Sequence, residues 1–118
     1  MATFNYNNKI FKAIVNDDNG HVTNATTFYY RQRGKVIWGT YEGGGIEIGT
    51  ITGKVLESGK LQFNYQHVNI AGELMTGYCE STPEMRSTGR IRLFEKWHWT
   101  CGDHSEGMSI IEEVVAMG

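Results

Sequence analysis

Every second residue of RIRLFEKWHWT, residues 90–100, is Ile91, Leu93, Glu95, Trp97 and Trp99. A period of two is that of a strand with one buried face, and this face is apolar except at Glu95. The same period recurs in KIFKAIVN (9–16), TTFYYRQR (26–33), KVIWGTYE (35–42) and IEIGTITGKVL (46–56). It continues through LQFNYQHVN (61–69), ELMTGYCEST (73–82) and MSIIEEVV (108–115). The links DDNG, Gly34, GGG, ESGK, IAG, PEMRSTG and CGDHSEG are short and carry the glycine or Asn/Asp of tight hairpins. No window carries the 3.6-residue stripe of an amphipathic helix.

Short links make sequence neighbours pair in space, so the pattern predicts an all-β, single-domain (1–118) antiparallel meander. About eight strands in a row have two exposed edges unless the first meets the last. The expected fold is therefore a closed up-and-down β-barrel, similar in outline to lipocalin-like, avidin-like and other calycin-like barrels. A sandwich of two four-stranded sheets is the alternative. Glycines inside strands, at 39, 49, 53 and 77, fit the sharp coiling of a small barrel.

Turn lengths set which residues share a face. A two-residue turn at 58–59 would place Thr52 opposite Tyr65 and Thr50 opposite His67. A four-residue turn at 69–72 would place His67 opposite Leu74, Tyr65 opposite Thr76 and Phe63 opposite Tyr78. The GGG turn would put Trp38 opposite Thr50, and the last hairpin would bring Glu95 opposite Glu112 or Glu113. On this register the lumen is apolar at its ends, with a polar belt of Thr50, Thr52, Tyr65, His67, Thr76, Tyr78 and Glu95.

A carboxylate inside a barrel has to be hydrogen-bonded, paired, solvated or protonated. Glu95 is thus the leading candidate for holding a ligand. Tyr65, His67, Tyr78, Thr76 and Thr50 would complete the polar contacts, and Trp38 and Trp97 would supply contact area with Trp99. In a second reading Glu95 and His67 are catalytic, working as an acid–base pair in the same cavity. Simpler readings are a structural network around Glu95, an interior ion pair with Arg31, and tryptophans that only fill a narrow barrel. A filled barrel pairing with a second copy as a homodimer is a third outcome.

Other chemistry is excluded by composition and motif. A net charge of −2 with scattered basic residues offers no surface for nucleic acid or an anionic membrane. No apolar run reaches membrane-span length and the N-terminus lacks a secretion signal, so a cytoplasmic protein with reduced Cys79 and Cys101 is expected. His98, Cys101, Asp103 and His104 in HWTCGDH lack the pair spacing of a zinc site, and no metal or cofactor is expected. The GGG run lacks the Lys-Ser/Thr of a phosphate loop.

With YQHVN, GELMTG, STPE, EKWHWT and SEG placed, nearly the whole chain resembles a family of small bacterial proteins commonly labelled N-acetylglutamate synthase. That resemblance implies an acetyl-CoA-dependent transferase. Such an enzyme needs a pyrophosphate-binding turn that leads into a helix N-terminus. Here RQRGKV (31–36) leads into the strand VIWGTYE, so the residues predict no acetyl transfer.

Overall fold

The computed structural model describes residues 4–16 and 21–114. Its strands are β1 Lys9–Asn16, β2 Thr27–Arg33, β3 Val36–Gly43, β4 Ile46–Val55, β5 Leu61–Asn69, β6 Leu74–Met85, β7 Ile91–Trp99 and β8 Glu106–Val114. They form one closed antiparallel barrel in sequence order. The predicted meander is what folds, and pairing of β1 with β8 rules out the open sandwich. The expected turn at 17–20 and Val115, placed in the last strand, lie outside the described residues. RQRGKV is a hairpin whose last ladder pair is Arg33 with Val36.

Closure removes both sheet edges. Phe11 pairs with Glu113 and Ala13 with Ile111, and the register shifts between Ala13 and Val15. Charge reinforces the seam where Lys9 Nζ lies 3.4 Å from Glu113 Oε2. On the adjoining β7–β8 ladder the Ile91 amide donates to Glu113 Oε1 at 3.0 Å, and Arg92 grips Glu112 at 2.6 Å.

Three hairpins share one design. Loops 57–59, 70–72 and 87–89 each end on a glycine with positive φ, of 93° at Gly59, 82° at Gly72 and 84° at Gly89. In each, the residue before the loop donates to the carbonyl of the residue after it, as Leu56 does to Lys60, Asn69 to Glu73 and Arg86 to Arg90. Three-residue hairpins take this form, with a left-handed residue last, where glycine carries no Cβ penalty.

That geometry corrects the expected register. Each of the first two loops has three residues rather than two or four, and a slip of one residue turns a whole strand inside out. Ile51, not Thr52, lies opposite Tyr65, and Gly49, not Thr50, opposite His67. Gly77 replaces Thr76 opposite Tyr65, Cys79 replaces Tyr78 opposite Phe63, and Met75 replaces Leu74 opposite His67. β5 keeps its expected face, while Thr50, Thr52, Leu74, Thr76 and Tyr78 move to the outer surface. Trp38 also faces out, opposite Thr52, with the Arg33 guanidinium 5.9 Å from its ring centroid.

The interior has two halves. At the end where the chain starts, Phe11, Ile37, Leu61, Leu93 and Ile111 have no exposed surface. Each such side chain contributes about 1.5–3 kcal/mol by leaving water. Tyr6 plugs this end, its hydroxyl donating to the Gly59 carbonyl at 2.7 Å and its amide to Gln32 Oε1 at 2.9 Å. Above this packed layer the barrel is not filled.

Candidate functional site

The unfilled half holds a cavity of about 50 Å³, lined by His21, Val22, Phe28, Tyr41, Ile51, Phe63, Tyr65, His67, Cys79, Glu95, Trp97, Trp99 and Ser109. β7 supplies three of these by simple alternation, Glu95, Trp97 and Trp99, each buried and each facing in. Glu95 sits directly above Leu93, at the boundary between the packed layer and the cavity.

Two neighbouring strands hold its carboxylate. Glu95 pairs with Ser81 on β6 and with Ser109 on β8. The Ser81 hydroxyl donates to Oε2 at 2.9 Å and the Ser109 hydroxyl to Oε1 at 3.0 Å. Burial pushes the Glu95 pKa up to about 7, and hydrogen bonds from Ser81, Ser109 and Cys79 restrain the rise. The acid is therefore poised between its two protonation states near neutrality, with no ion-pair partner among the described residues. The expected facing carboxylates are elsewhere, because Glu112 and Glu113 are taken up by Arg92 and Lys9. Arg31 is exposed opposite Trp38 and reaches no lumen group.

A second network crosses the upper lumen. Tyr41 Oη lies 2.8 Å from His67 Nδ1, and His67 Nε2 lies 3.1 Å from His21 Nδ1. Burial raises the Tyr41 pKa far above its usual value and so keeps the phenol protonated. A phenol donating to Nδ1 makes His67 the Nε2–H tautomer, which in turn donates to His21. Burial, and then the neighbouring His21, lower the His67 pKa to about 4. The imidazole is neutral at physiological pH. His21 comes from the segment before β2 and packs at a tilt against Trp99 with centroids 5.1 Å apart, so it forms part of the cavity's roof.

Of the residues expected at the site, the fold brings Glu95, Tyr65, His67, Trp97 and Trp99 around one cavity. It places Thr50, Thr76, Tyr78 and Trp38 on the outer wall. Thr76 Oγ1 there pairs with Thr100 Oγ1 at 2.8 Å, and Thr50 accepts from Gln66. The face left open by the register error is filled by Tyr41, Phe28, Cys79, Ser81 and Ser109, and by His21 from outside the strands. The last-position glycines of the hairpin loops are the sequence signal that would have found those on β6. His21 left no signal, since its place depends on a segment path that no periodicity encodes.

Cys79 and Cys101 are free thiols, Cys79 buried beside Ser81. No three His, Cys, Asp or Glu side chains converge as a metal site among the described residues. Tyr30 Oη is fully buried with no hydrogen-bond partner among the described residues. Burial raises its pKa, and so does the Glu95 charge, which places the hydroxyl within electrostatic reach of that carboxylate.

The model of the family described as avidin-like protein matches residues 4–114. No curated protein and no solved structure matches the chain.

Proposed function

The chain belongs to the avidin-like protein family, and we propose that it is a small-molecule-binding barrel whose ligand enters the half-filled lumen and is fixed by Glu95. Small-molecule binding is consistent with that family and with the barrel. The observation that carries the reading is the contrast within one lumen. The lower half is a layer of fully buried apolar side chains, whereas the upper half keeps a cavity walled by aromatic rings around the Glu95 carboxylate, held from two sides. Ligand pockets have this composition, with apolar walls and few convergent polar groups.

Acid–base catalysis by Glu95 and His67 is less well supported. The hydrogen bonds of Glu95 go to Ser81, Ser109 and Cys79, and those of His67 go to Tyr41 and His21, so the two groups belong to separate networks. A thermal-shift series with small metabolites, including glutamate and acetyl-CoA, tests binding and the acetyltransferase label together. A lumen ligand at one hundred times its Kd stabilises the fold by about 2.7 kcal/mol, and a flat series would count against the reading.

A homodimer is a compatible second feature. Thr50, Thr52, Asn64, Gln66, Thr76 and Tyr78 form an uncharged outer wall across β4, β5 and β6, the kind of surface two copies could share without charge repulsion. Light scattering would report twice the 13.3 kDa chain mass. Free thiols at Cys79 and Cys101 favour a reducing compartment, from which we infer a cytoplasmic location.

A further inference from the structure

We propose that the lumen selects a small organic cation, a primary ammonium or short alkylammonium group, seated between the Glu95 carboxylate and the rings of Tyr65, Trp97 and Trp99. The inference rests on the lumen-binding reading and narrows it to one ligand class.

Three observations lead there. First, among the described residues Glu95 is the one acid that lines the cavity, and no described Lys or Arg lines it beside Glu95. A neutral apolar ligand would strip the remaining water from this carboxylate without replacing it, and an anion would be repelled. A cation compensates the buried charge. Second, the hydroxyls of Ser81 and Ser109 occupy one site on each carboxylate oxygen. An ionised carboxylate offers about four acceptor sites, so beside the two serines and the Cys79 thiol one remains, and an ammonium can be received without displacing either serine. Third, the walls suit the rest of such a ligand. The Trp97–Trp99 and Tyr65–Trp99 centroids are each 5.7 Å apart. These rings pack against one another and line the cavity together, so a cation resting on their cavity side can lie within the roughly 6 Å over which aromatic faces attract positive charge.

Size limits the class. A volume of about 50 Å³ exceeds the roughly 10–15 Å³ that one water needs. It admits a head group of a few heavy atoms and no bulky ring system. The Tyr30 hydroxyl, which has no partner among the described residues and feels the Glu95 charge, is a further polar atom at the acid end.

The surroundings leave Glu95 as the group whose charge changes on binding. Facing it are Cys79 on β6, Tyr30 on β2, Tyr41 on β3 and Tyr65 on β5, all held neutral by burial. His67 on β5, with its pKa lowered to about 4, adds no positive charge to the lumen above pH 5. His21 meets His67 at the roof. Near pH 6 the Glu95 carboxyl is largely protonated, so a bound ammonium must displace a proton. Near pH 8.5 it is already ionised.

The test is an NMR titration of the full chain with ethylammonium and with ethanol as its neutral counterpart, followed at the Trp97 and Trp99 indole signals. Calorimetry in two buffers then counts protons. Ethylammonium should bind more tightly than ethanol, and its affinity should rise at least about tenfold from pH 5.5 to 8 by linkage to the Glu95 proton. Close to one proton should be released per cation at pH 6 and almost none at pH 8.5, a readout that needs no variant. Glu95→Gln, checked for an unchanged amide spectrum, should lose the preference for the cation. If ethanol binds as well as ethylammonium, or proton release is absent at pH 6, the cation assignment is wrong and lumen binding stands. If neither ethylammonium, ethanol nor dissolved xenon shifts the indole signals, the lumen takes up nothing and both readings fall.

Discussion

Tyr65 lies across Gly77, its partner in the β5–β6 ladder, so closely that a Cβ on the glycine would come within 2.1 Å of Tyr65 Cζ. The same pairing recurs at Gly49, where a Cβ would meet the Tyr41 ring at 2.3 Å. The glycines inside the strands thus do more than let the barrel coil. They make room for the two phenol rings that shape the cavity.

Gly77→Ala should therefore act through Tyr65. Overpacking of this kind costs roughly 1–3 kcal/mol and should lower Tm by several degrees. Adding Tyr65→Leu should restore part of the loss, since residues in contact are not additive. Thermal unfolding of the two single variants and the double variant measures the coupling.

The Glu95 carboxyl should make the protein less stable as pH rises. Its folded pKa of about 7 stands above the ordinary 4.5. The folded state therefore favours the protonated acid, and that contribution is complete below pH 4.5 and lost as pH climbs through 7. The change is on the order of 3 kcal/mol. Glu95→Gln should unfold at higher denaturant than the parent at pH 8, with Ser81 and Ser109 hydroxyls turning to suit the amide.

His67 should tilt stability the other way. A folded pKa of about 4 against an ordinary 6.5 favours the neutral ring, so its contribution is present above pH 6.5 and lost as pH falls toward 4. Between pH 4.5 and 6.5 the two groups oppose each other, and the parent's stability should be nearly flat. Urea titrations at pH 5 and pH 6.5 separate them. Glu95→Gln should be weaker at pH 5, and His67→Asn stronger at pH 5.

His21→Ala should uncover the cavity. Its ring packs 5.1 Å from Trp99 and 5.3 Å from His67. In a Trp38→Phe background, which removes the exposed tryptophan, acrylamide should quench the remaining fluorescence more strongly once His21 is gone. Unchanged quenching would mean the mouth is closed by other groups.

The fold was legible because period-two segments and short glycine turns are local signals, and the inward face of β7 followed from alternation alone. The faces of β4 and β6 were not. Both faces of IEIGTITGKV carry isoleucine, and Gly77, Cys79 and Ser81 are too small to mark an interior by hydrophobicity, so turn length had to decide. The positive φ of Gly59 and Gly72 set that length. The acid itself stands out from the alternation of β7, whereas its two serines depend on the registers of β6 and β8, and His21 reaches the site from outside the strands.

A small molecule seated against Glu95 in the upper lumen is seen or ruled out by a crystal structure of protein purified from cells without refolding, together with the same crystals soaked in ethylammonium. Non-protein density is expected within hydrogen-bonding distance of the Glu95 carboxylate, beside Trp97 and Tyr65. Rings closed over Glu95 in both crystals, with no such density, would contradict it.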